Sequence, residues 1–230
     1  MAPRYDATVT PPDAPDAPAA PAAPAAPRAV LLAHALRLEY ATVGWNVVEA
    51  VVALSAAEAA GSVALLGFGA DSVIESLSGA VLVWRLRAER VGDDAERIER
   101  LDRRAHRLVG VSLFALAAYV GVAAAHALWT QRAPEASPLG IAVTAVSAAA
   151  MLVLARAKRR AAAALASRAL EADSFQTTAC WWLSVITLTG IAANAALGWW
   201  WADPAAALAM TALLAREGAD AWRRRPCCGC

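Results

Sequence analysis

The sequence predicts an all-α fold: an integral membrane protein built as a six-helix transmembrane bundle with both termini cytoplasmic. Three observations carry that prediction. Apolar and aromatic residues make up 59% of the 230 residues and charged residues only 18%, well below the ~25% of an ordinary soluble domain. The stretches 108–131, 136–155 and 174–202 contain no Lys, Arg, Asp or Glu, and a helix needs only ~20 such residues to cross the bilayer's hydrocarbon. With six crossings, all but one of the 21 basic residues fall on the same side, and Arg132 alone on the other. Loops rich in Lys and Arg stay cytoplasmic. The apolar runs do not alternate with a period of two, which excludes outer-membrane strands. A net charge of +1 excludes a strongly basic nucleic-acid binder, and no nucleic-acid partner is expected.

Residues 1–28 hold eight of the 12 prolines, set among Ala, Asp and Thr. Such a stretch cannot bury a core and reads as a disordered tail. It lacks the basic start and apolar block of a secretory signal. Residues 29–222 form the transmembrane body. The first helix, 36–58, carries Asn46 and Glu49, and the second, 62–86, carries Asp71 and Glu75. The third and fourth, 107–130 and 138–157, rest on charge-free runs, as does most of the fifth, 169–198. The sixth, 203–222, is free of charge only from Pro204 to Ala215. Its start is well marked, because Asp203 can cap it and Pro204 suits a first turn. Trp129 and Trp199 to Trp201 fall at the outer interface, and Trp84 and Trp222 at the inner one, as an aromatic belt requires.

Residues 223–230 are a short tail with Cys227, Cys228 and Cys230. These cysteines are too closely spaced for a common zinc module. Acylation or capture of a soft metal is the functional reading, and a tail without a defined role the bland one.

The informative residues are acids inside helices. An acid at mid-bilayer costs roughly 2.5–3.5 kcal/mol on insertion scales, so Glu49, Asp71, Glu75 and Asp173 should face the bundle interior. Asp71 and Glu75 are four apart and share a helix face. Their repulsion is relieved either by a divalent cation or by a proton with hydrogen bonds to Ser72, Ser76 or the backbone. Asp173, Gln176, Thr177 and Cys180 share a face of the fifth helix. Asp and Cys are capable metal ligands and a Gln carbonyl a weaker one, whereas hydration of Asp173 and simple packing of Cys180 are the bland readings. Glu49, with Asn46 one turn before it, is a proton relay, a supporting partner of the ligands or a structural hydrogen bonder. No nucleophile–base pair, phosphate loop or histidine cluster lies in the helices, so no enzyme is expected.

The stretch Gly61-Ser62-Val63-Ala64-Leu65 leading to Asp71-Ser72-Val73-Ile74-Glu75 resembles the second helix of the cation diffusion facilitators. There a Gly-Ser-x-Ala-Leu opening precedes Asp-x-x-x-Asp, whose carboxylates bind the transported metal. Trp201-Ala202-Asp203-Pro204 resembles the start of that family's sixth helix, and Arg216-Glu217-Gly218 its close. The resemblance spans about residues 36–222. It implies a metal site of Asp71, Glu75, Gln176 and Cys180, with Asp173 as a substitute one turn away. The fifth helix departs from the family pattern, since Gln176 and Cys180 stand where His or Asp is usual. Only eight residues follow Trp222, so a short form without the usual cytoplasmic domain is expected, and any homodimer would use the membrane part or the tails.

The function implied is a divalent cation transporter of the plasma (inner) membrane that exports metal from the cytoplasm in exchange for protons, by alternating access between helices two and five. No permanent cofactor is expected. The cargo would be zinc first, with cadmium or cobalt favoured by a thiolate at Cys180 and manganese or iron by an all-oxygen site. The alternative is a membrane protein that binds or senses metal without transporting it.

Overall fold

The computed structural model describes residues 28–91 and 95–223. The tail cysteines Cys227, Cys228 and Cys230 and nearly all of the proline-rich N-terminal segment lie outside the described residues. Six helices follow one another: α1 (Arg28–Ala60), α2 (Val63–Val91), α3 (Ala95–Trp129), α4 (Pro138–Leu165), α5 (Arg168–Leu197) and α6 (Ala202–Arg223). Five are long and apolar enough to cross a membrane; α6 is the exception, in line with its interrupted charge-free run.

The helices start and stop where local chemistry directs. Gly61, at φ +65°, turns the chain between α1 and α2, a conformation that costs glycine nothing. Ser137 caps α4 by accepting from the Gly140 amide, and Pro138 fills its first turn. Ser167 does the same for α5 through the Leu170 amide, and Gly198 closes that helix at φ +67°. Several boundaries differ from expectation. α1 begins at Arg28 rather than 36, α3 begins at Ala95 rather than 107, and α4 continues past 157 to Leu165, because alanines follow its basic cluster and keep helix propensity high. Asp203 does not serve its own helix. Its carboxylate accepts from the Ser62 hydroxyl at 2.5 Å and from the Val63 and Ala64 amides at 3.0 and 3.5 Å. It thereby caps α2 from 140 residues away in sequence.

The helices pack as three pairs: α1 on α2, α4 on α5 and α3 on α6. α2 and α5 also meet each other, and α6 touches both. Small residues allow the approach, as expected where lipid offers no hydrophobic drive for association. A Cβ on Gly190 of α5 would lie 2.5 Å from the Ala206 Cβ of α6, and one on Gly69 of α2 would lie 3.0 Å from the Leu54 backbone nitrogen of α1. Phe68, Leu113, Val120, Leu183, Met210 and Leu214 fill the space among α2, α3, α5 and α6. Leu32, Leu36, Leu86, Leu165 and Leu170 close the end of the bundle that carries Arg28. Ala57, Leu65 and Ile191 close the opposite end. Large apolar side chains such as Val51, Leu77, Val122 and Val153 point outward, where acyl chains cover them.

Between the two apolar closures the facing sides of α1, α2, α4 and α5 are polar. Glu39, Asn46, Glu49, Asp71, Glu75, Ser147, Lys158, Asp173 and Thr177 are all buried. Lys158 also departs from expectation. By position it belongs to a basic loop, yet it points inward and is fully buried, while Arg156, Arg159 and Arg160 around it are exposed.

Gly190→Val should lower stability by about 1–3 kcal/mol through overpacking, whereas Gly44→Ala, which meets nothing within 4 Å, should raise it by about 0.5–1 kcal/mol; thermal unfolding in detergent measures both. By the same assay Asp203→Ala should cost about 1–2 kcal/mol, the range for a lost helix cap.

Candidate metal centre

α2 and α5 run in opposite directions and bring their polar faces together near mid-bundle. Glu75 is twelve residues into α2, and Cys180 twelve residues into α5, each about 18 Å along its helix. One ligand atom from each of Asp71, Glu75 and Cys180 lies within 4.8 Å of the others. All three residues are buried, at 5%, 4% and 2% exposure. Among the described residues this is the one group of three or more His, Cys, Asp or Glu side chains placed to share a metal ion.

Its electrostatics favour a cation. Asp71 and Glu75 place like charges on adjacent turns of one helix. Both Glu75 oxygens are buried and accept no hydrogen bond from nitrogen or oxygen among the described residues; the group facing them is the Cys180 thiol. A buried carboxylate without partners is expensive. Two carboxylates and a thiol form a mixed oxygen–sulfur donor set that suits divalent transition metals better than magnesium or calcium.

The other candidates have separate places. Gln176 is half-buried, and its Oε1 accepts from the Ser78 hydroxyl at 3.2 Å. It also lines a cavity of about 250 Å³ that opens among α3, α5 and α6, with His106, Trp182, Arg216 and Asp220. Asp173 is turned to Lys158, whose Nζ donates to it at 2.5 Å, and it stands outside the Asp71–Glu75–Cys180 group. Glu49 ties three helices: it accepts from the Trp45 indole at 2.9 Å and from the hydroxyls of Ser72 and Ser147. Asn46, one turn away, is buried with neither amide atom hydrogen-bonded among the described residues.

Two polar partners were not evident from the sequence. Lys158 lies in a basic run that reads as loop. Glu39 sits near the start of the first predicted helix, where an acid reads as interfacial. A signal for Glu39 did exist: with Asn46 and Glu49 it falls at spacings of seven and three, on one face of α1.

A bundle of long apolar helices with acids and a thiol gathered at its centre defines the class: a polytopic membrane protein whose interior suits cations. Residues 40–223 match the cation efflux transmembrane domain, and the chain belongs to the cation diffusion facilitator family. That family is made up of transporters rather than enzymes, and the chain is a metal cation transporter of this kind. A comparison with curated proteins finds no significant match.

If Cys180 supplies a thiolate ligand, cadmium should produce a sulfur-to-metal charge-transfer absorption. With Cys227, Cys228 and Cys230 replaced by Ser, that band should persist. It should vanish when Cys180→Ser is added, and ultraviolet titration of the purified protein reads both.

Proposed function

We propose that the protein exports a divalent transition metal, zinc first, through a site formed by Asp71, Glu75 and Cys180. The single observation that supports this reading is the burial of those three groups within 4.8 Å of one another at the meeting of α2 and α5. Cadmium and cobalt are the next choices for an oxygen–sulfur site, and manganese and iron follow if the thiol is silent.

Protons are the counter-ion in this reading. An empty pair of carboxylates repels, and a proton or a metal relieves it. The two cations compete for the same oxygens, so release of one favours capture of the other. Glu49, held by Trp45, Ser72 and Ser147, fixes α1 and α4 against the ligand-bearing face of α2, with Asn46 beside it. Gln176 lines the cavity one turn before Cys180 on α5, where in this reading it hands a hydrated ion inward or adds a carbonyl ligand.

The basic residues set the direction. With the arginines of the α2–α3 and α4–α5 connections on the cytoplasmic side, both termini are cytoplasmic, and the cavity among α3, α5 and α6 opens toward that side. The plasma (inner) membrane is the location this reading takes. Any homodimer forms through the membrane helices.

The test is reconstitution into liposomes with a pH dye inside. Added zinc should enter and protons leave, so the lumenal pH should rise. Asp71→Ala should cut that response at least about tenfold, the low end of what loss of a metal-site partner costs. A protein that binds zinc by calorimetry yet moves neither ion would overturn transport in favour of metal binding alone.

A further inference from the structure

We propose that Glu39 and Asp173 constitute a second divalent-cation site, which the chain keeps filled with its own ammonium group, Lys158. The bundle therefore holds one metal rather than two. The inference extends the reading of Asp71, Glu75 and Cys180 as the metal site, but it stands on different residues.

Three helices converge on this point: Glu39 from α1, Lys158 from α4, and Asp173 with Thr177 from α5. Glu39 and Lys158 are fully buried and Asp173 is 7% exposed. The Lys158 Nζ donates to Glu39 Oε2 at 3.0 Å, to Asp173 Oδ2 at 2.5 Å and to the Thr177 hydroxyl at 3.2 Å. An ammonium group has three donors, and all three end on oxygens. The arrangement is a cage of three oxygens from two helices around a positive centre, and the centre arrives on the third helix.

The cage is not fully matched by its occupant. Two carboxylates carry a formal charge of −2 and the ammonium only +1. The remaining Glu39 oxygen, Oε1, is buried and accepts no hydrogen bond among the described residues. A divalent ion would balance the charge and use that oxygen as well. The donors are all oxygen, unlike those of the Asp71–Glu75–Cys180 group, so the cage suits a harder ion, and manganese is the natural probe.

Proximity explains why occupation by lysine matters. Asp173, Thr177 and Cys180 follow one another on one face of α5, so the cage lies about 10 Å from Cys180 along the helix. The Lys158 charge is close enough to act on Glu75. A second dication at that distance would repel the cargo. A tethered single charge holds the carboxylates and removes Asp173 from competition for the metal.

The experiment is manganese binding to the full chain in detergent, counted by calorimetry. Lys158→Ser opens the space left by the side chain. It should bind one more manganese per chain than the unaltered protein, and Lys158→Arg, which keeps the cation, should gain none. The extra equivalent should disappear in Lys158→Ser with Asp173→Asn. It should persist in Lys158→Ser with Asp71→Ala, which separates this site from the proposed transport site. Lys158→Ser should also melt lower in chelator than the unaltered protein and recover when manganese is added. An unchanged count in a folded Lys158→Ser protein would overturn the proposal. So would a variant that aggregates even with manganese present, because the metal would then have failed to replace the lysine.

Discussion

A carboxylate inside hydrocarbon must be neutralised or hydrogen-bonded, and among the described residues six are buried: Glu39, Glu49, Asp71, Glu75, Asp173 and Asp203. The rest of the architecture is arranged around how each is satisfied. Asp203 rests on the amino end of α2, where free amides and the helix dipole favour negative charge. Glu49 collects an indole and two hydroxyl donors. Glu39 and Asp173 share Lys158. Asp71 and Glu75 lie side by side with no ion-pair partner of their own among the described residues, and there Glu75 has the Cys180 thiol as its facing group. The buried ion pairs of the described residues go to Glu39 and Asp173, and neither Asp71 nor Glu75 is part of them.

The same constraint shapes the packing. Polar side chains reach one another across helix interfaces only if the backbones come close, and glycine and alanine at the α1–α2, α3–α6 and α5–α6 contacts make that approach possible. The leucine cluster at the Arg28 end and the alanine-rich cluster at the other end then seal the polar interior from both sides. The carboxylates between them are buried, and burial strengthens every charge interaction among them.

Much of this was legible in the residues. The charge-free runs report local properties, and each lies within a helix or a helix and its adjoining turn, although α1 and α3 begin at Arg28 and Ala95, well before the expected 36 and 107. The four-residue spacing of Asp71 and Glu75 and the seven-residue spacing of Asp173 and Cys180 placed each pair on one helix face. What was not legible was which members of those faces would meet. Asp173 and Cys180 look equivalent on a helical wheel, yet one turns to a lysine and the other to Glu75. Gln176 faces Ser78 and a cavity. Asp203, which suits a cap for its own helix, caps another.

The sequence by itself determined the helices, their apolar outer faces and the acids that must point inward, because each follows from the cost of polar groups in lipid and from the 3.6-residue period. Only the tertiary structure decided how the buried charges are divided between a closed ion-pair network and the Asp71–Glu75–Cys180 group. That division rests on contacts such as Glu39 with Lys158, 119 residues apart. No local pattern encodes such a contact: it exists only because three helices are held close enough for one ammonium group to reach two carboxylates.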